Sequence, residues 1–305
     1  MRPGNPNHFT FMNDPKDILK KIRRLELRTR RLVNSTFAGQ YHSVFKGRGM
    51  NFEEVREYAP GDEIRSIDWN VTARMNTPYV KKFTEERELT VLLVVDVSAS
   101  GKFGSVEMSK RELAAEVASI LAFSAINNND KVGLLLFSDD VELYIPAKKG
   151  RLHTLRLIRE MLYFTPKGRG TNLAGALDYL NRVTSRRAVV FLISDFLAPD
   201  FTKSLTVASR RHDVVAMPVK DPGESNLPDV GIVTLEDAET GEQIDINTSS
   251  RAIRQGLKDL DETRRKSLEK LLRSRRVDIV PLATNEDYLL PLRAFFEQRE
   301  RRLAA

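Results

Sequence analysis

Cysteine is absent from these 305 residues, and only four histidines and one tryptophan occur. Without thiols there is no disulfide, no thiolate zinc site, no iron–sulfur cluster and no cysteine nucleophile. Four scattered histidines leave a soft or borderline metal little to bind. Long apolar runs are missing too. The longest, near 92–95 and 117–126, fall well short of the ~20 residues that cross a bilayer. The opening "MRPGNPNHFTFMNDP" lacks the apolar stretch of a secretory signal, so a cytoplasmic location without membrane insertion is expected. Several catalytic signatures are also lacking: G-x-x-x-x-G-K-[ST], the full dinucleotide fingerprint, H-E-x-x-H and G-x-S-x-G. The chain is therefore not expected to be an enzyme.

What is present is ordinary globular composition, 41% hydrophobic and 30% charged, with a net charge of +7. That charge favours acidic partners without saying whether they are nucleic acid, lipid or protein. Two segments, 16–31 and 251–276, are dense in Lys and Arg. Both read as solvated helix faces, and neither carries aromatic residues on which bases could stack. Nucleic-acid binding thus stands as an alternative reading, disfavoured. So does metal-dependent hydrolysis, which usually needs more carboxylates and a general base.

Residues 1–13 show no period and are expected to be disordered. Residues 14–87 read as a basic helix over 14–34 followed by a small β-rich module of short strands and turns, "APGDE" being a turn. From 88 to 305 the pattern changes. Apolar strands at 89–95, 131–137, 188–194 and 214–219, and the segment "VDIVPLAT", alternate with helices at 107–126, 152–163, 173–183, 201–211, 252–273 and 288–302. A strand at 141–145 reads as antiparallel to 131–137, with Asp139 and Asp140 in the turn between them. A hairpin turns at "ETGE". The alternation predicts an α/β fold with a doubly wound, mostly parallel sheet. Such sheets bind ligands outside the carboxyl ends of their strands, where strand order reverses.

Three segments fall at such places: "DVSAS" with Asp96, Ser98 and Ser100; "GRGTNL" with Thr171 as a helix cap; and "ISDF" with Asp195. Together they offer two carboxylates and three hydroxyls, all hard oxygen donors that suit Mg²⁺ or Mn²⁺. Neutral hydroxyls leave an ion electron-poor, so such a site would seek one more anionic oxygen from outside, such as a partner's Asp or Glu.

The Asp96-x-Ser98-x-Ser100, Thr171 and Asp195 set resembles the metal-ion-dependent adhesion site of von Willebrand factor A domains. The stretch "GRGMNFEEVREYAPGDEIRSIDWNVTAR" resembles the signature of domain-of-unknown-function family 58, and the likeness spans residues 35–300. The resemblance implies a bacterial protein with a sheet of von Willebrand factor A type behind a small N-terminal β-rich module. It also implies a divalent cation, a MoxR-type AAA+ ATPase as partner, and a role as adaptor in maturing or remodelling a client protein. Relatives often carry N-terminal membrane helices, and this chain resembles the short soluble branch. Two departures stand out: Lys102 follows the second serine and could compete with the ion, and Phe196 takes the place of the glycine usual after the second aspartate. Arg65, Asp68, Trp69 and Arg74 are expected to form a paired, partly buried polar cluster around the indole. That cluster would anchor the module or serve as a docking face.

Overall fold

The computed structural model describes residues 51–304 except 76, 85–87 and 107, together with Arg23, Glu26, Leu27, Thr29, Tyr41 and Val44. The disorder expected for 1–13 and most of the helix expected over 14–34 lie outside the described residues. Arg23, Glu26, Leu27 and Thr29 are helical.

Strands β1 (Asn51–Glu57) and β2 (Tyr79–Thr84) pair antiparallel in a sheet of their own. Between them "APGD" turns as expected. The Asp62 carboxylate accepts from Ala59 N at 2.9 Å and pairs with Arg56 at 2.7 Å, and Gly61 holds φ +110°, which a side chain would resist. The expectation of strands and turns alone needs correction. Tyr41 and Val44 are helical, and α1 spans Trp69–Met75. Asp68 starts this helix: its Oδ1 accepts from Asn70 N at 3.0 Å and Val71 N at 3.3 Å, as an N-cap does. The expected cluster around the indole is corrected as well. Trp69 is 66% exposed, and Arg65 and Arg74 face solvent. Of the four, only Asp68 is buried.

The larger part follows the alternation. In order come β3 (Thr90–Asp96), α2 (Lys110–Asn127), β4 (Lys131–Phe137), β5 (Val141–Lys148), α3 (Arg151–Tyr163), α4 (Leu173–Val183) and β6 (Val189–Ser194). Then come α5 (Thr202–Arg211), β7 (Asp213–Lys220), β8 (Ile232–Glu236), β9 (Gln243–Asn247), α6 (Arg251–Ser274), β10 (Asp278–Ile279), β11 (Leu282–Ala283) and α7 (Leu289–Ala304). The sheet runs β10-β7-β6-β3-β4-β5, and β11 also pairs with β7. Every pair is parallel except β4 with β5. The chain leaves β3 toward β4 and β5, then returns to β6 on the other side of β3. Strand order therefore reverses at β3, and the crevice lies outside the ends of β3 and β6. The single last strand expected over "VDIVPLAT" is two short ones, broken at Val280–Pro281, where proline has no N–H for a ladder.

β3 is buried on both faces, as its unbroken apolar run requires. Val91, Leu93 and Val95 pack with α2, α3 and α7, whereas Leu92 and Val94 pack with α4, α5 and the end of α6 at Leu272. Helix α2 begins at Lys110 rather than 107, because Ser109 and Glu112 form a capping box there. Among the described residues the hairpin β8–β9 pairs only with itself, and within α6 only Leu272 is buried.

Tyr41 joins the N-terminal part to this core. It is fully buried against Phe296, with ring centroids 6.3 Å apart, and its hydroxyl lies near the Asp130 carboxyl, just before β4. Asp130 accepts from Leu89 N at 2.8 Å, fixing the entry to β3. Burial lifts the Asp130 carboxyl to about 6, against the lowering effect of the Leu89 N–H and the nearby Tyr41 hydroxyl. A carboxyl raised above its unfolded value makes stability fall as pH climbs from about 4 through 6, where the folded state holds the proton and the unfolded chain does not. The tyrosine hydroxyl favours the ionised form. Tyr41→Phe is therefore expected to cost about 1–3 kcal/mol at pH 7.5 and less at pH 5, measured by chemical denaturation at both pH values.

Candidate metal centre

The carboxyl end of β3 continues as Asp96-Val97-Ser98, and the Asp96 carboxylate turns the chain by accepting from Ser98 N at 2.9 Å. A short 3-10 turn, Ala99–Lys102, follows. It brings Ser100 Oγ to 3.0 Å from Ser98 Oγ and 2.8 Å from Asp195 Oδ2, just past the end of β6. Ser194, the last residue of β6, donates from Oγ to Asp96 Oδ2 at 2.6 Å and accepts from Phe196 N at 3.0 Å. Asp96, Ser98, Ser100, Ser194 and Asp195 line one crevice, as the strand order demands.

Phe196 sits at φ +59°, the left-handed conformation that glycine adopts freely. Its ring is buried beside Phe201, centroids 6.0 Å apart. Burial of the ring thus offsets the strain, and the bend that glycine usually makes is kept here with an aromatic side chain.

Thr171 arrives by another route. The Asp139 carboxylate, at the β4–β5 turn, accepts from Arg169 N at 2.8 Å and Gly170 N at 3.1 Å. Glu142 accepts from Lys167 N at 2.9 Å and Gly168 N at 2.8 Å. A Cβ on Gly168 or Gly170 would collide with Ser138 or Asp139, so the close approach needs both glycines. Asp139 is thus more than a turn former. Ala99 N donates to Arg169 O at 2.9 Å, which seats this loop against the serine turn. Thr171 does not cap α4, as was expected; Asn172 does, accepting from Gly175 N at 2.9 Å. The buried Thr171 hydroxyl is left to donate to Glu239 Oε1 at 2.7 Å, at the tip of the β8–β9 hairpin.

The lysine that matters is Lys110, not Lys102. Lys102 is exposed, whereas Lys110 is 3% exposed and places Nζ 2.8 Å from Asp195 Oδ2 and 2.5 Å from Glu224 Oε1. Burial alone would lower its pKa, but the two carboxylates raise it above the usual lysine value. A cation in a first helical turn opposes the helix dipole, and these carboxylates compensate. Glu224 is set by the turn after β7, where buried Asp221 accepts from Ser105, Gly223 and Thr284. Burial first, and Asp195 second, push the Asp96 carboxyl up to about 6. Burial likewise raises Glu239, reinforced by the charges of Asp195, Asp237 and Asp139.

The donor set fits a hard cation. Around an octahedral Mg²⁺ with oxygens at ~2.0–2.1 Å, adjacent donors stand about 2.9–3.0 Å apart. The Ser98–Ser100 and Ser100–Asp195 spacings are of that size. Asp195 and Glu224 pair with the buried ammonium of Lys110, and Arg111, also at the crevice, directs its guanidinium to Met161 O and Phe164 O. The set is mixed: among the described residues no three Asp, Glu or His side chains by themselves make a metal cluster. Sequence reasoning missed Ser194, Lys110, Glu224 and Glu239. Ser194 adjoins Asp195 and Lys110 follows a visible capping box, but only the fold brings Glu224 and Glu239 to this edge.

A doubly wound sheet with Asp-x-Ser-x-Ser at the end of its central strand defines a von Willebrand factor A-like protein. The chain belongs to the family described as "Protein of unknown function DUF58", which it matches over residues 54–267. It is 33% identical over 293 residues to Uncharacterized protein Rv1480 of Mycobacterium tuberculosis (strain ATCC 25618 / H37Rv), covering 95% of this chain and 92% of that one. To Uncharacterized protein YeaD of Bacillus subtilis (strain 168) it is 24% identical over 178 residues, 58% of this chain and 42% of the other. Among solved structures it is similar to the conserved hypothetical protein BatB from Bacteroides thetaiotaomicron, with 16% identity, TM-score 0.46, and coverage of 70% and 99%. It is also similar to the SpRpn10 VWA domain, with 11% identity, TM-score 0.36, and coverage of 69% and 95%. No described helix is long and apolar enough to cross a membrane.

Removing one partner of a buried ion pair strands the other charge. Lys110→Met is therefore expected to destabilise by about 3–5 kcal/mol in urea unfolding. Combining it with Glu224→Gln is expected to cost less than the sum of the two single changes. Strict additivity would show that the two groups do not interact.

Proposed function

We propose that this chain is a metal-dependent protein–protein interaction module. In this reading Asp96, Ser98, Ser100, Thr171 and Asp195 hold Mg²⁺ or Mn²⁺, the two aspartates directly or through water. The observation that carries it is the convergence of Asp96, both serines and Asp195 at the strand-order reversal, with oxygen spacings of 3.0 and 2.8 Å. The ion, when bound, supplies an electrophilic position for a partner's carboxylate. The protein's own groups shape that position. Ser194 and the Ser98 backbone orient Asp96, Lys110 holds Asp195 in place, and the backbone N–H groups around Gly168 and Gly170 set the Thr171 loop. The reading is one of binding rather than turnover. The partner it favours is a MoxR-type AAA+ ATPase, as the family resemblance implies, with a client protein as the further contact and the chain as adaptor between them.

Mg²⁺ or Mn²⁺ at about 100 times its dissociation constant is expected to stabilise the fold by about 2.7 kcal/mol, read as a raised Tm. Asp96→Ala is expected to abolish the rise. Equal shifts in both proteins would remove the site from consideration.

Calorimetric titration with a MoxR-type ATPase is expected to give binding with Mg²⁺ that EDTA and Thr171→Ala each abolish. A coordinated carboxylate should also outlast a rise in salt from 0.1 to 1 M, over which the Debye length shrinks from about 10 to about 3 Å. Binding indifferent to all three would move the contact to the basic helices or the 47–76 segment.

A further inference from the structure

We propose that Glu239, at the tip of the β8–β9 hairpin, is an in-chain carboxylate ligand of this centre and holds the position that a partner's acidic residue must take. This rests on the metal-dependent reading above and adds the residue that regulates access to it.

Four observations converge on Glu239. Its Oε1 accepts from the Thr171 hydroxyl at 2.7 Å, so the carboxylate touches one of the five donors of the centre. Its Oε2 lies within van der Waals reach of the Cβ position of Gly170, which sets it against the Thr171 loop. The neighbouring Ala238 O accepts from Arg169 Nη2 at 2.9 Å, a second bond that seats the tip on the Thr171 loop. The tip itself is pre-shaped. Asp237 Oδ1 accepts from Glu239 N at 2.8 Å and Thr240 N at 3.0 Å, and Gly241 at φ +76° completes the turn.

The hairpin stands apart from the main sheet: among the described residues its strands pair with each other and with no strand of that sheet. On one face Val233 stands opposite Ile246 and Leu235 opposite Ile244, and Ile244 is 61% exposed. An arm held at its tip by one carboxylate and one carbonyl can be displaced without unfolding the sheet behind it. A partner carboxylate would then replace like with like at the ion, and affinity for the partner would be set by the difference between two carboxylates rather than by one alone.

The experiment uses the full chain and Mn²⁺, with affinity read by electron paramagnetic resonance and bound waters by proton relaxation. The expected result is that Glu239→Gln binds Mn²⁺ about ten-fold more weakly than wild type, because a charged ligand is lost, and gains an exchangeable water. Free acetate is then expected to displace a water from the variant at lower concentration than from wild type. Glu236→Gln, which removes a charge from the same hairpin away from Thr171, is expected to match wild type. If wild type and Glu239→Gln bind Mn²⁺ with equal affinity and hydration while Asp96→Ala loses it, the centre stands and Glu239 is not its ligand. If Glu236→Gln reproduces the loss, the effect is one of general charge and the inference fails. If wild type binds no Mn²⁺, the metal-dependent reading and this inference fall together.

Discussion

The structure depends on β3 being buried on both faces. Its side chains alternate between two cores, so helices must cover each side of the sheet, and the strand can meet solvent only at its ends. Because strand order reverses at β3, no crossover segment closes the space outside its carboxyl end. Asp96 stands at that opening as the last residue of the strand. The same element is fixed at its other end, where the Asp130 carboxylate accepts from Leu89 N.

Charge at the carboxyl edge is organised around a scarcity of cations. The protein is basic as a whole, yet Asp96 and Asp195 line the crevice beside the buried ammonium of Lys110. Lys110 pairs Asp195 with Glu224, tying α2 to the ends of β6 and β7. Two hydroxyls and Asp96 remain on the near side, and Thr171 with Glu239 on the other. Buried carboxylates this close raise one another's proton affinity unless a positive charge joins them. A divalent cation is the partner that hydroxyl and carboxylate oxygens of this spacing suit.

Much of the fold was legible because its signals are local. Unbroken apolar runs of four to six residues mark β3, β4, β6 and β7, and helical spacing marks α3 and α4 to within a residue. Errors fell where tertiary context decides. Asp68 was expected as a charge partner, and the structure makes it a helix cap with the indole beside it left in solvent. Thr171 was expected to cap α4, but Asn172 does so, and the preceding loop is held by the Asp139 carboxylate. Lys102 stood nearer to the serines along the chain than Lys110 does. The capping box at Ser109 starts α2 so that Lys110, not Lys102, points under the edge.

By itself, the sequence determined the fold class, the strands whose ends carry Asp96 and Asp195, and the hard-oxygen chemistry that the lack of cysteine leaves. Those properties are written in composition, period and adjacency along the chain. Tertiary structure alone decided that Ser194 bridges to Asp96, that Lys110 and Glu224 pair around Asp195, and that Glu239 meets Thr171 from 68 residues away. The physical reason is that electrostatic and hydrogen-bond partners are chosen by distance in space. No local pattern records which turn a folded sheet will bring beside which strand end.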